Sequence, residues 1–168
     1  MEDAERREQL ERMMEAHGTP LLRMCAVYLR DAHQAQDAVQ ETFLKAYRRM
    51  DDFRGECSEK TWLTGIALNV CRDYRRAAWF RHVERREDLD ALRETPAPDA
   101  DADGTVLSEV TRLPRRYREA VLLRYYQGLK LKETAEALQI SNSAVKQRLK
   151  RANAILRERL KEWYFNEE

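Results

Sequence analysis

The stretch 113–160 constrains the fold most, because it carries two apolar patterns at helical spacing with a tight break between them. The first pattern, LKETAEAL over Leu131–Leu138, predicts a short helix, with small Ala135 where a second helix must pass closely. Ser141 follows the break, where its hydroxyl can accept a hydrogen bond from an amide of the next helix. A short helix, a tight turn and a capped second helix together predict a helix-turn-helix.

The second helix of this unit is predicted from Asn142 to about Trp163. Its apolar stripe consists of Val145, Leu149, Ala152, either Ile155 or Leu156, and Leu160. Its polar face carries Ser143, Lys146, Gln147, Lys150 and Arg151, with Arg148 at the edge. Amide, hydroxyl and basic side chains of this kind can reach phosphates and the edges of guanine and adenine.

The charge of this region also indicates a polyanionic partner. The stretch 112–161 holds fourteen basic and four acidic residues, an excess of ten positive charges on a chain whose net charge is only +1. A solvated basic helix face would explain the charge alone. Together with the turn and its cap, the charge favours DNA binding.

Composition predicts an all-α protein of two small helical domains. Glycine and proline are scarce, at 5 and 4 of 168 residues, and 36% of the residues are charged. No apolar run is long enough to span a bilayer, and the first fifteen residues are too highly charged for a signal peptide, so we expect a cytoplasmic protein without membrane insertion. Cys25, Cys57 and Cys71 are odd in number and match no metal-ligand spacing, so we expect reduced thiols and no metal site.

The domains are predicted at residues 1–82 and 107–168, joined by a flexible acidic linker over residues 83–106. The middle of that linker, TPAPDADADG, has no apolar periodicity and cannot supply a core. Three or four helices are predicted in the first domain, with spans over Ala4–His17 (ended by Gly18), Pro20 to about Arg30, Ala32 to about Met50, and from a Ser58 cap to about Trp79.

The third of these helices has an apolar side and a polar side. The apolar side consists of Ala35, Ala38, Val39, Phe43, Ala46, Tyr47 and Met50, interrupted by Thr42. The polar side carries Asp37, Gln40, Glu41, Lys45 and Arg48. The spacing of Asp37, Gln40 and Glu41 makes them neighbours on one helix face.

The fourth helix interleaves aromatic and basic residues over Arg72–Arg81. Aromatic rings can stack on unpaired bases while guanidinium groups hold the backbone, which is typical of single-strand binding. Packing at the edge of the domain is the alternative for Tyr74 and Trp79. Trp62 lies within the apolar stripe of the helix, so we expect it in the core.

Three motifs, in this order, resemble the extracytoplasmic-function sigma factors of bacterial RNA polymerase. They are DAHQAQDAVQETFLKAYRRMDDFRG, then TWLTGIALNVCRDYRR, then LPRRYREAVLLRYYQGLKLKETAEAL followed by SAVKQRLKRA. The resemblance covers nearly all of the chain except the linker. It implies that the first domain is sigma region 2 and the second is sigma region 4.

The resemblance also implies roles for particular residues. Asp37, Gln40 and Glu41 would bind the β′ coiled coil of core polymerase. Phe53, Arg54, Gly55, Asn69, Arg72, Arg75 and Arg76 would bind the −10 element, partly as single-stranded DNA. Ser143, Lys146, Gln147, Arg148, Lys150 and Arg151 would bind the duplex −35 element. Partners implied by the family are core polymerase through its β′ coiled coil and β flap, promoter DNA, and an anti-sigma factor, with no cofactor and no small-molecule substrate.

Two positions depart from the family pattern. Ser143 and Ala144 precede Val145 where a Gly-Thr pair is common, and Gln139 stands where a turn glycine is common. Both positions affect the angle at which the helix-turn-helix would dock on DNA and the −35 sequence that it would read.

Two other functions compete with this interpretation. A free-standing helix-turn-helix repressor or activator would have no need of the basic and aromatic helix in the first domain. An enzyme would need a phosphate loop, a metal cluster or a nucleophile beside a base, and the sequence offers none, so we expect no catalytic residue.

Overall fold

The computed structural model describes residues 2–84 and 105–166, and every regular element within these ranges is helical. This confirms the all-α prediction. The helices are α1 (Asp3–Leu29), α2 (Ala32–Arg48), α3 (Glu59–Glu84), α4 (Thr105–Thr111), α5 (Arg115–Val121), α6 (Leu131–Leu138) and α7 (Asn142–Asn166). Helices α1–α3 form one compact unit and α4–α7 form another. Most of the predicted linker, residues 85–104, lies outside the described residues.

The two N-terminal helices predicted from the sequence are one continuous helix, so that prediction was wrong. Helix α1 runs through Gly18 and Pro20 without interruption. A proline inside a helix removes one backbone hydrogen bond, but apolar packing on both sides of it keeps the two halves in line. The buried side chains are Met13 before Pro20, and Leu21, Met24, Cys25, Tyr28 and Leu29 after it.

The apolar side of α2 is buried as predicted. Ala35, Ala38 and Ala46 are fully buried, and Phe43 is nearly so. The one polar residue of the stripe, Thr42, is also fully buried, and its hydroxyl donates to the Ala38 carbonyl at 2.7 Å. Because its own helix satisfies the hydroxyl, Thr42 can occupy a core position without an unpaired polar group.

Helix α3 begins where the sequence predicts and ends later. The Ser58 hydroxyl accepts a hydrogen bond from the Thr61 amide at 3.1 Å, which is an N-cap. The helix continues to Glu84, beyond the predicted end near Trp79. It packs on α1, where the Sγ atoms of Cys25 and Cys71 lie 3.5 Å apart in the core as free thiols.

The second unit begins with a helix that the sequence did not predict. Helix α4 is tied to α5 by Arg118, a buried residue whose guanidinium donates to the Thr111 carbonyl at 3.4 Å. After Val121, the chain continues as a π-helical turn over Leu122–Tyr126. Leu122 and Leu123 in this turn are fully buried, so the wider turn serves the core of the unit.

The helix-turn-helix is present with the predicted bounds for α6 and the predicted start for α7. Gln139 ends α6 in the left-handed conformation, with φ +58°, which explains why a glycine would suit this position. The Ile140 amide then donates to the Ala135 carbonyl at 3.1 Å. Ser141 caps α7 by accepting from the Ala144 amide at 3.1 Å. No helix in the two described ranges has the length and apolar character to cross a membrane.

Candidate polymerase and nucleic-acid interfaces

The polar face of α2 is fixed by the cap of the helix and by its buried opposite side. The Asp31 carboxylate caps α2 by accepting from the amides of His33 and Gln34, at 2.9 and 3.1 Å. Asp37 and Gln40 are exposed on the outer face. Glu41 is half-buried and lies 3.6 Å from the Lys45 ammonium. The face is therefore acidic, with one carboxylate partly neutralised by its own helix.

Tyr74 of α3 is within electrostatic reach of this acidic face, whereas the sequence left it open between single-strand contact and packing at the edge of the domain. Burial raises the pKa of its phenol, and the nearby carboxylates of Glu41 and Asp37 raise that pKa further. Tyr74 therefore lies close to the carboxylates of α2. Its position was readable from the sequence, because Tyr74 continues the apolar stripe four residues after Val70.

The loop before α3 is anchored by an aromatic stack. The rings of Phe53 and Trp62 lie 4.8 Å apart at 28°. Trp62 is therefore half-buried under Phe53. The sequence predicted that it would lie fully in the core, and that prediction was wrong. Gly55 follows with φ +75°, a conformation that favours glycine, and Arg54 beside it is exposed. The stack fixes the loop against the start of α3.

Three of the four predicted −10 residues on α3 share one side of the helix. Asn69, Arg72 and Arg76 follow one another at spacings of three and four residues. Asn69 is exposed, and its side-chain oxygen accepts from the Arg72 guanidinium at 3.3 Å. Trp62 lies seven residues before Asn69, which is two helical turns. The Phe53–Trp62 stack is therefore on the same side of α3 as Asn69, about 10 Å from it along the helix axis.

Arg75 lies on a different side of α3 from Asn69. It follows the buried residues Leu68 and Cys71 at spacings of seven and four residues. The helix has left the core at this point, so Arg75 is exposed. Arg75 is three residues after Arg72, so it lies beside Arg72 on the helix but away from Asn69.

The end of α3 exposes two aromatic rings. Trp79 and Phe80 are 48% and 53% exposed, and their rings meet edge to face at 5.2 Å. Trp79 is therefore not a core residue, and its exposure is compatible with a position at the edge of the domain. The exposed pair offers flat apolar surface next to the basic residues of the helix.

Helix α7 separates a buried side from a polar side, as the sequence predicted. Val145 and Ala152 are fully buried and Leu149 nearly so. The exposed residues on the opposite side are Ser143, Lys146, Gln147, Lys150 and Arg151. Arg148 is half-buried at the border between the two sides. The polar side is the one that a DNA groove could reach.

The positive charge of the second unit is smaller at its surface than the sequence count indicates. Arg118 is buried and therefore cannot meet DNA. Arg115 lies 3.3 Å from the buried carboxylate of Glu119. Arg112 and Arg159 both reach Glu109, at 3.7 and 3.4 Å. The charge that remains outside these pairs is concentrated on α7.

Tyr117 of α5 was missed by the sequence interpretation. A hydrogen bond from the Arg151 guanidinium to the Tyr117 hydroxyl lowers the pKa of the phenol, and the charge of Arg116 lowers it further. The Arg116 guanidinium also lies 5.3 Å from the centre of the Tyr117 ring. Tyr117 and Arg151 are far apart in the sequence, so no local pattern could have shown this contact.

Known protein families match both units. Residues 13–81 match the family model of sigma-70 region 2, and residues 104–155 match that of sigma-70 region 4. The RNA polymerase sigma-H factor of Pseudomonas aeruginosa is 31% identical, over 79% of this chain and 76% of its own length. An ECF RNA polymerase sigma-E factor of Haemophilus influenzae is 30% identical, over 74% and 73%.

Solved structures agree with these matches. CnrH, solved in complex with the cytosolic domain of CnrY, superposes with a TM-score of 0.71 at 25% identity, over 93% of this chain and 90% of that chain. The sigma factor RpoE of Bartonella quintana, solved with the anti-sigma factor NepR, shares the fold with a TM-score of 0.73 at 22% identity, over 92% and 98%. The chain belongs to the extracytoplasmic-function sigma factors of bacterial RNA polymerase, in the sigma-70 family.

Proposed function

We propose that three helices of this sigma factor each make one of the contacts that initiation requires. The acidic face of α2 binds core polymerase, α3 with the preceding loop takes up the −10 strand, and α7 reads the −35 duplex. Region 2 would occupy residues 1–82 and region 4 residues 107–168, with residues 83–106 as the linker. The observation that carries the proposal is that each of these helices buries one side in its own unit and leaves the predicted contact residues on the other.

On α2, Asp37, Gln40 and Glu41 supply carboxylates and an amide to a basic surface of the polymerase. Charge complementarity of this kind steers the encounter and fixes the register of an interface. Tyr74 adds a half-buried ring and a hydroxyl beside Asp37 and Glu41, which suits the border of such an interface.

On α3, the side shared by Asn69, Arg72 and Arg76 can follow one strand of melted DNA. The Asn69 amide offers a donor and an acceptor to a base edge, while the arginines reach phosphates. The loop held by Phe53 and Trp62 borders the same side and can enclose a base turned out of the stack. Such a base costs a few kcal/mol to unstack in a duplex and little in an open strand.

The protein acts as an initiation factor rather than an enzyme in this proposal. Binding to polymerase and to DNA requires no catalytic residue, metal or cofactor of its own. The partners in this proposal are RNA polymerase and chromosomal DNA. Because both are in the cytoplasm, we place the protein there too.

We further propose that a separate anti-sigma factor holds this chain inactive. CnrH was solved with the cytosolic domain of CnrY and RpoE with the anti-sigma factor NepR. An inhibitor that covers the acidic face of α2 or the polar side of α7 would block a contact that initiation needs.

Arg148 and Lys150 should differ in the kind of DNA contact they make. We expect Arg148→Ala to cost about 1–3 kcal/mol and to relax the preference at one base pair, because an arginine can pair with guanine in two hydrogen bonds. Lys150→Ala should weaken binding to all sequences alike, since an ammonium on a phosphate reads no base. Affinity selection from a randomised duplex library, with the full chain and each variant, measures both effects.

Lys161→Ala is the control, because it removes the same charge from the exposed far end of α7. It should leave both affinity and sequence preference close to those of the parent. Equal losses on every sequence for Arg148→Ala and Lys150→Ala would show that Arg148 only positions the helix.

A further inference from the structure

The last turns of α3 extend beyond the core of their unit. Cys71 is buried, but none of residues 72–81 and 83 is. The helix nevertheless continues to Glu84, about 20 Å further along its axis. A helix end without a buried side gains little stability from packing in its own unit, and its exposed side chains can meet a partner.

This helix end carries a patch of three exposed apolar side chains. Trp79, Phe80 and Val83 are each exposed by 42% or more, and Val83 follows the two aromatic residues at spacings of four and three residues. The rings of Trp79 and Phe80 meet edge to face at 5.2 Å, an arrangement that covers only one ring face. Single exposed apolar residues are common, whereas a cluster of them marks a binding surface.

The patch continues the side of α3 that carries the proposed −10 residues. Phe80 follows Arg76 by four residues and Asn69 by eleven, which is close to three helical turns. Phe80 therefore lies on the same side as Asn69, about 16 Å further along the axis. Trp79 follows Arg75 by four residues, so these two side chains are neighbours on the adjoining side.

The charge around the patch indicates what kind of molecule it meets. Residues 72–81 hold four arginines and one aspartate. This cationic helix end would repel the basic polymerase surface that is proposed to receive the acidic face of α2, whereas it attracts phosphates. Flat rings among guanidinium groups suit a nucleic-acid strand, because bases stack on the rings while the arginines hold the backbone.

We propose that Trp79 and Phe80 form a stacking site for a second base of the −10 strand, distinct from the base taken up at Asn69. This inference rests on the proposed uptake of that strand by α3. Bases of a stacked strand are about 3.4 Å apart, so a separation of about 16 Å corresponds to about five nucleotides, and to fewer where the strand is stretched. The two sites then hold the strand at two points along α3.

The test uses holoenzyme, reconstituted from core polymerase and the full chain, on a promoter that the parent holoenzyme selects from a library. The promoter carries a pre-melted −10 bubble. The ring variant, Trp79→Leu/Phe80→Leu, keeps both side chains apolar, and leucine is a good helix former, so the helix end is retained. We expect the ring variant to bind the bubble promoter about tenfold more weakly, the loss of stacking on one base.

A series of abasic promoters locates the base. Each member lacks one base of the non-template strand, in or beside the bubble. One abasic position should weaken the parent about tenfold and cost the ring variant nothing further, because the variant has already lost that contact. Trp79→Phe/Phe80→Tyr keeps both rings and should retain the affinity of the parent to within about twofold.

Tyr125→Leu is the matched control, because it removes an equally exposed aromatic ring from the second unit. It should leave both the affinity and the pattern of sensitive abasic positions as in the parent. If the ring variant binds the intact bubble like the parent, or if each abasic position weakens both by the same factor, no base stacks at this site. Loss of core polymerase by the tagged ring variant would place the patch against a protein and overturn the site as well.

The same series separates this site from the proposed function. A position that loses its effect in Asn69→Ala, with none that does so in the ring variant, would overturn the ring site and leave the uptake of the strand by α3 intact. A parent holoenzyme that is weakened at no abasic position would overturn that uptake itself.

Discussion

Reversing the charge of Asp37 and Glu41 together is expected to abolish binding to core polymerase. The Asp37→Lys/Glu41→Lys variant replaces two carboxylates with two ammonium groups on the outer side of α2. Attraction to a basic surface becomes repulsion, and we expect affinity for core polymerase to fall by about 100-fold or more. Retention of core polymerase by the tagged variant, against the tagged parent, measures the effect.

The fold should survive this change, because Asp37 is exposed, Glu41 is only half-buried, and the fully buried residues of α2 are left intact. The main internal cost is a second ammonium next to Lys45, worth a few tenths of a kcal/mol. Glu11→Lys/Glu15→Lys is the matched control, with the same change of charge at the same spacing on exposed positions of α1. Equal retention of polymerase by both double variants and the parent would remove α2 from the interface.

Loss of the Asn69 side chain is expected to impair opening of a paired promoter far more than binding to an open one. The Asn69→Ala variant removes a donor and an acceptor from the exposed side of α3. A bidentate base contact is worth about 1–3 kcal/mol, so the rate of open-complex formation should fall by about tenfold or more. On a promoter with a pre-melted −10 bubble, the variant should regain the part of the rate loss that arises from strand melting.

Asn69 also accepts a hydrogen bond from Arg72, so the variant needs a comparison that separates the two roles. Asn69→Asp keeps an acceptor for Arg72 and loses the amide donor. If base capture is the role of Asn69, Asn69→Asp should be impaired like Asn69→Ala. Recovery of normal opening by Asn69→Asp would assign the residue to positioning Arg72, and normal opening by Asn69→Ala would exclude both roles.

The sequence was sufficient where structure is decided by neighbouring residues. The caps at Ser58 and Ser141 follow from hydroxyl groups placed just before apolar periodic segments. The two sides of α2 and α7 follow from the helical period, because burial of one side leaves the other to solvent. These local rules predicted the helix-turn-helix and placed the predicted contact residues of α2 and α7 on their outer sides.

Tertiary packing decided the features that the sequence did not predict. A glycine and a proline close together predict a break, but packing on both sides of Pro20 keeps α1 continuous. Charge counting treats Arg118 as surface charge, although it is buried against α4. The contact of Tyr117 with Arg151 depends on how α5 and α7 pack, and the helical period of neither one reveals it.

Transcription from a promoter library by core RNA polymerase, with and without the full chain, tests the central claim most directly. Core polymerase alone initiates without promoter preference, and addition of the chain should produce transcripts that start downstream of one shared pair of −10 and −35 elements. The Asp37→Lys/Glu41→Lys variant should fail to produce them. If the chain binds duplex DNA but leaves the transcript pattern of core polymerase unchanged, it does not direct initiation and the assignment of its helices is wrong.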